Sequence, residues 1–260
     1  MALHPEDARL VSYIAHAEKI LIFTGAGIST QSGIPDFRGP GGVWEKRQPV
    51  YYDDFLKSHE ARQEHWDYKL EGWEAYKKAT PNAVHNCIVD LDYAGKLLAV
   101  VTQNIDGLHQ KAGTSPEKLI ELHGTNAAIE CVECGTRYEP EPIYEQYAKD
   151  REPPVCPCSP MGFLKPATIS FGQNLRMQDL VAAEQAAHEC DLVISLGSTL
   201  SVYPAASIPL VASQRGIPYI IINRGPTEHD AHDDVSLRLE GCVNNWFPPA
   251  VEAALRQKQL

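Results

Sequence analysis

The sequence predicts an α/β fold, a doubly wound parallel sheet with a smaller composite domain threaded through it. Three observations carry that reading. Short β-branched apolar runs alternate with helical patterns, a polar and aromatic stretch at 40–92 interrupts the rhythm, and a second interruption at 127–165 gathers four cysteines and many prolines. In chain order, Leu10, Ile14 and Ala17 recur at helical spacing and predict a helix over 6–18. "ILIF" (20–23), "LLAVV" (97–101), "LVISL" (192–196) and "YIIIN" (219–223) are too short for helices. Their composition suits strands buried on both faces of a parallel sheet. Helices are expected over 177–190 and over 204–216, the second opened by Pro204 and stopped by Gly216. A last helix is expected from Pro248-Pro249, burying Val251 and Leu255. Strands alternating with helices make the sheet Rossmann-like. The predicted nucleotide-binding domain therefore comprises 1–39, 93–126 and 166–260. The helical insertion 40–92 and the cysteine-bearing insertion 127–165 form the small domain.

Composition narrows the classes of function. The 260 residues carry 23 basic and 34 acidic side chains, a net charge of −11. Phosphate-backbone binding rests on Lys and Arg, so direct nucleic-acid binding is not expected. No run approaches the roughly 20 apolar residues that span a bilayer, and the charged N-terminus has no long apolar segment. A cytoplasmic protein without membrane contact is the expectation. Seven cysteines, an odd number without a secretory signal, argue for metal ligation or buried thiols over a disulfide framework.

Five segments carry candidate chemistry. "TGAGISTQSGIPDFRG" (24–39) follows the first strand. Its Gly25, Gly27 and Gly33 fail G-x-G-x-x-G because Thr30 occupies the third place, and no P-loop is present. The turn with Ser29 still offers N–H groups to a pyrophosphate at an expected helix start, though a bare strand-to-helix connection also fits. "TQNIDGLHQKAG" (102–113) ends the second strand, where ligands sit in open α/β sheets; Asn104 and Asp106 would project into the crevice, or the segment is an ordinary turn. "ELHGT" (121–125) holds His123, a candidate base that nothing in composition selects over His109. "SLGSTLSVYPAA" (195–206) gives a second small-residue turn, Gly197-Ser198-Thr199, and Asn223 ends the next strand. Ribose or phosphate binding and a plain connection both fit there.

The cysteines are more specific. Cys131 and Cys134 pair with Cys156 and Cys158 across 21 intervening residues. This is close to the spacing of a four-thiolate zinc site, with a tighter second pair than usual. Four cysteines leave no open coordination position, so one structural Zn is expected.

Taken together and in this order, the motifs resemble the sirtuin family, the NAD-dependent protein deacylases, from about Ala15 to about Leu255. The resemblance implies NAD as co-substrate, acyl-lysine proteins or peptides as partners, and acyl transfer to ADP-ribose with release of nicotinamide. Gly25, Ala26, Gly27 and Ser29 would line the phosphates. Asp36, Phe37 and Arg38 would belong to a loop closing over the nicotinamide end, which accounts for the Pro-Asp-Phe-Arg run after the glycine turn. Gln103, Asn104, Ile105 and Asp106 would surround nicotinamide and its ribose, and Asn104 and Asp106 would act with His123, the general base. Gly197, Ser198, Thr199, Asn223 and Cys242 would hold the adenosine half. Phe171-Gly172 and Val202-Tyr203 would flank an extended substrate peptide.

Three departures from the family pattern stand out. The second cysteine pair is C-x-C, followed by Ser159-Pro160-Met161-Gly162. Lys165-Pro166-Ala167 and Phe171-Gly172-Gln173 each lack an acid the family carries near the peptide, and the Gly-Thr-Ser turn reads Gly-Ser-Thr. Family members acting on malonyl or succinyl groups carry Tyr-x-x-Arg in the helical lobe. Here "HWDYKLEGW" supplies Lys69 but no arginine, so an uncharged acyl group, foremost acetyl, is expected. Mono-ADP-ribosyl transfer and NAD hydrolysis on the same fold are the rival activities, and a non-enzymatic ADP-ribose-binding module is a further one.

Overall fold

The four apolar runs become the middle of one sheet. In the computed structural model, which describes residues 5–36 and 47–257, the strands in chain order are β1 (Ile20–Thr24), β2 (Leu97–Thr102), β3 (Leu119–Glu121), β4 (Gly124–Cys131), β5 (Arg137–Tyr138), β6 (Leu164–Thr168), β7 (Leu192–Leu196), β8 (Tyr219–Asn223) and β9 (Val235–Glu240). Six form a parallel sheet in the order β3-β2-β1-β7-β8-β9. The other three form an antiparallel sheet, β5-β4-β6. Sequence periodicity had pointed to neither β3 nor β9. The second was legible, since Val235-Ser236-Leu237-Arg238-Leu239-Glu240 alternates and buries Leu237 and Leu239, as an edge strand should.

The helices are α1 (Pro5–His16), α2 (Tyr52–Lys57), α3 (His59–Lys78), α4 (Ala83–Tyr93), α5 (Leu108–Ala112), α6 (Pro140–Asp150), α7 (Met177–Glu189), α8 (Ser207–Ser213) and α9 (Val243–Gln257). Because strand side chains alternate, each strand feeds two cores. Ile20, Ile22, Ile194, Ile220 and Ile222 pack with Leu10 and Ile14 of α1, Ile88 of α4 and Phe247 of α9. Leu21, Phe23, Val193 and Ile221 pack on the opposite face with Ala183 and Ala187 of α7 and Ile208 and Ala212 of α8. A third core joins Trp66 and Trp73 of α3 to Tyr144 and Tyr147 of α6 and to Ile129, Cys131, Cys156 and Leu164 of the antiparallel module.

Two helices differ from their expected bounds. The helix placed over 204–216 covers only α8, and the Tyr203–Pro204 peptide before it is cis. The last helix begins at Val243, not Pro248, and both prolines lie inside it. Each proline removes a helix hydrogen bond. Val243 and Phe247, however, continue the buried stripe of Ala250, Val251 and Ala254, and their burial outweighs that loss. A charged group also enters the core. Lys96, 1 % exposed, donates from Nζ to the carbonyls of Ile14, Ala15 and Ala17 at 2.5–3.1 Å. It thereby satisfies carbonyls at the end of α1, where a cation is favoured.

The strand order places a topological switch between β1 and β7. The chain builds outward from β1 to β3, then returns to lay β7 on the other side of β1. Connections leave the two carboxyl ends in opposite directions, and a crevice opens between them.

Candidate functional site

The crevice is a cavity of about 810 Å³. It brings together Gly25, Ala26 and Gly27 after β1, Gln103, Asn104 and Ile105 after β2, and His123 after β3. Gly197, Ser198 and Thr199 after β7 and Asn223 at the end of β8 form its far side. Phe171, Gly172, Val202 and Tyr203 also line it, as does Asp36. Phe37 and Arg38 lie outside the described residues.

The turn after β1 is not the helix start the sequence suggested. It consists of two short 3₁₀ turns, Ala26–Ile28 and Thr30–Ser32, ended by Gly33 at φ +84°. Its N–H groups are largely engaged internally: Gly25 donates to Leu196 O, Gly27 to Gly197 O, Ile28 to Gly25 O and Ser29 to Ala26 O. Gly197, at φ +62°, packs directly against this turn. A Cβ on Gly197 would lie 2.6 Å from Ile28 N, and one on Gly25 2.7 Å from Gly197 O. Two strand ends thus touch backbone to backbone, which only glycine permits. Gly197→Ala is expected to cost about 2–4 kcal/mol through left-handed backbone and overlap together. Thermal or denaturant unfolding measures that loss.

Gln103 ties the parts together. Its N–H donates to Thr24 O, and its side-chain amide donates to Ser198 Oγ at 2.8 Å. Its carbonyl lies 3.1 Å from His123 Nδ1. A carbonyl only accepts, so Nδ1 carries the proton and neutral His123 keeps Nε2 as its basic nitrogen. Ser198 Oγ accepts a second hydrogen bond from Leu200 N, which leaves its own hydrogen to donate. Asn104, 5 % exposed, is held by donation from Nδ2 to Gly25 O at 3.2 Å and to Ser29 Oγ at 3.3 Å.

Asp106 does not project into the crevice. It is 6 % exposed, accepts from the Ser29 hydroxyl at 2.7 Å and from Leu108 N at 2.9 Å, and is absent from the cavity wall. Burial raises its pKa above the ordinary carboxylate value, with the two hydrogen bonds opposing the rise. Its place is behind Ser29, bracing the glycine turn. Cys242 also stands off the cavity wall, before α9, with the Gln31 amide 3.4 Å from its sulfur. Asn223 faces the cavity while its Nδ2 donates to Arg224 O and Gly225 O.

One wall was only partly anticipated. His65, Tyr68 and Lys69 project into the cavity from one face of α3, the i, i+3, i+4 spacing that puts side chains together. Burial keeps His65 well below the usual histidine range. Lys69 donates to Asn126 Oδ1 at 3.1 Å, and burial brings its pKa to about 8.

The four predicted metal ligands meet in the small module. The sulfurs of Cys131, Cys134, Cys156 and Cys158 all lie within 4.8 Å of one another. Cys131 to Cys158 is 3.6 Å and Cys134 to Cys156 is 3.8 Å. A tetrahedral Zn with Zn–S near 2.3 Å requires sulfur–sulfur edges of about 3.8 Å, so the donor set fits the metal. The short C-x-C spacing is accommodated by its surroundings. Gly162 follows the pair, and a Cβ there would stand 2.7 Å from Cys158 Sγ.

A parallel sheet with its crevice at the switch point, a histidine beside paired glycine turns, and a four-thiolate module define a nucleotide-using enzyme with a structural metal site. The comparisons with known proteins specify it further. The Sir2 family profile matches residues 25–204. An NAD-dependent protein deacetylase of Rhodopseudomonas palustris is 42% identical over 230 residues, 88% of this chain and 90% of that protein. NAD-dependent protein deacylase 2 of Archaeoglobus fulgidus is 34% identical over 98% of both chains. A solved Sir2 structure with a deacetylated p53 peptide and 3'-O-acetyl ADP-ribose superposes with a TM-score of 0.83, at 34% identity over 98% of each chain. The chain belongs to the Sir2 family.

Proposed function

We propose that this chain is an NAD-dependent protein-lysine deacylase, foremost a deacetylase, that transfers the acyl group to ADP-ribose and releases nicotinamide. One observation carries the reading. A single cavity joins the two glycine turns, the Gln103–Ile105 segment and His123 to the Phe171-Gly172 and Val202-Tyr203 edges, so cofactor and peptide share one chamber. The relatives named deacetylases and the Sir2 complex with peptide and acetyl ADP-ribose support it.

NAD, when bound, supplies an electrophilic ribose carbon once nicotinamide leaves. The chain's residues bind, orient and move a proton. The Ser198 hydroxyl, its direction fixed by Gln103 behind it, would be free to donate to the adenosine half of NAD. Gly25, Ala26, Gly27, Thr199 and Asn223 would hold the remainder of the dinucleotide, and Cys242 would serve its adenosine half. Asn104 and Ile105 would bound the nicotinamide ribose, Asp106 braces Ser29 behind them, and His123 Nε2 would take a ribose-hydroxyl proton. Phe171-Gly172 and Val202-Tyr203 flank the peptide backbone.

An uncharged acyl group fits this wall: Lys69 offers only a point charge already directed to Asn126, and Arg47 is paired with Glu71. The same proposal divides the chain into the nucleotide-binding residues 1–39, 93–126 and 166–260 and a small domain of 40–92 and 127–165, which the shared Trp66–Tyr144 core supports. It places the protein in the cytoplasm, without nucleic-acid or membrane partners. No helix among the described residues is long and apolar enough to cross a bilayer.

The test is incubation with NAD and an acetyl-lysine peptide, all products followed by mass spectrometry. Nicotinamide and O-acetyl-ADP-ribose are expected only when both substrates are present. Succinyl peptide should turn over at least about 10-fold more slowly, because Arg47, which lines the wall beside Tyr68, already reaches both carboxylate oxygens of Glu71. Free ADP-ribose without peptide, or ADP-ribosylated protein, would move the assignment to NAD hydrolysis or ADP-ribosyl transfer.

A further inference from the structure

Behind the Asn104 segment lies a row of buried polar groups that the proposed reaction does not use. Thr24 ends β1, Thr102 ends β2, His109 sits in α5 and His85 in the first turn of α4; none is more than 2 % exposed. Asn104 N–H donates to Thr102 Oγ1 at 3.0 Å, and the Thr24 hydroxyl donates to the same oxygen at 2.7 Å. His109 Nε2 lies 3.0 Å from Thr24 Oγ1. Thr24 has already given its hydrogen to Thr102, so His109 must donate from Nε2, and its Nδ1 is left as an acceptor.

The direction of the next link is fixed as well. Asn82 N–H donates to His85 Nδ1 at 3.3 Å, which makes His85 Nε2 the protonated nitrogen. His109 Nδ1 and His85 Nε2 are buried without a protein partner, one an acceptor and the other a donor, on rings centred 5.1 Å apart. Orphans of opposite polarity this close suit one shared internal water. At the far end, Asn82 Nδ2 donates to Ile28 O at 2.8 Å and to Ser32 Oγ at 2.9 Å, so the row returns to the turn after β1.

We propose that His109 is a positioning residue for the deacylation site: its Nε2–H, relayed by Thr24 and Thr102, fixes the backbone at Asn104, and a water shared with His85 holds it in that tautomer. This rests on the deacylase reading. Burial keeps both imidazoles neutral, with His85 lowered to about 4 and His109 to about 3, so the relay's direction does not change near neutrality. A tautomer flip would set two lone pairs face to face at Thr24 and shift Asn104 relative to Gly25 and Ser29.

Wild type is compared with His109→Leu, His109→Gln, Thr102→Val and Thr102→Ser for kcat, NAD affinity and melting temperature. The Leu and Val variants are expected to lose about 10- to 100-fold in kcat, the scale of a small misplacement in a reacting site. NAD affinity should hold in both, and Gln and Ser, which restore the donor or the hydroxyl, should recover most of the rate. Equal losses in the Leu and Gln variants that track melting temperature would reduce His109 to packing and overturn the proposal, as would an unchanged kcat in folded His109→Leu. Long-range ¹⁵N spectra of wild type give a second readout that needs no variant to fold. An unprotonated Nδ1 and protonated Nε2 on His109 are expected, and the opposite tautomer overturns the relay. Wild type that leaves the acetyl peptide intact would overturn the deacylase reading, while the spectra still report on the relay.

Discussion

Replacing His123 with alanine lowers deacylation by about 10²- to 10⁴-fold, the range for losing a general base, and leaves NAD affinity within a few-fold of wild type. The separation follows from the geometry. His123 Nδ1 donates to Gln103 O, a backbone carbonyl. The contacts that hold the dinucleotide side, Gln103 to Ser198 and the packed glycine turns, do not pass through the imidazole. Removing the ring therefore deletes the proton acceptor without loosening the turns. Calorimetric titration with NAD and a steady-state assay on the acetyl peptide separate the two effects. Near-normal turnover in the variant would dismiss His123 as the base. A parallel collapse of NAD binding would instead make it a structural part of the cofactor wall.

Removing the metal has the largest expected effect on stability. Cys131 and Cys156 belong to the four-thiolate cluster that fits a metal and are also members of the core formed by Trp66, Trp73, Tyr144, Tyr147, Ile129 and Leu164. Structural zinc binding is worth about 10–16 kcal/mol in small modules, as much as the whole stability of an ordinary domain. Cys156→Ser, or prolonged chelation, is expected to reduce zinc from one per chain and to abolish the near-UV signal of the stacked Trp73 and Tyr144 rings, whose centroids lie 4.1 Å apart. Cys87→Ala, outside the cluster, should keep its zinc. Activity goes with the metal, because β6 pairs with β4 of the module and leads directly into the Phe171-Gly172 edge. A metal-free protein that retains the aromatic signal would show the thiols to be dispensable.

These predictions draw unequally on the sequence. The central strands were legible because a strand buried on both faces must be apolar throughout, and β1, β7 and β8 are buried at every position. The cysteine module was legible because tetrahedral thiolate ligation needs two close pairs. The motif order, read as a resemblance, led to the family to which the chain belongs. Where local rules were applied to elements fixed by distant partners, they gave a different answer. The glycine turn looked like a helix start, yet most of its N–H groups are taken within the turn or by β7 and the turn after it. Pro248 and Pro249 looked like a helix start too, yet Val243 and Phe247 draw the helix past them into the core.

The sequence by itself determined which segments form the four central strands, which thiols meet, and which residue types stand at those strand ends, because those are properties of short stretches. The tertiary structure alone decided their roles. It turned Asp106 inward onto Ser29, set Lys96 beneath α1, pressed Gly197 against Ile28, and aligned His109 behind Asn104. Each of these depends on groups far apart in the chain meeting where water is excluded. There an unpaired polar atom is costly, and which partner satisfies it follows from how the strands are ordered.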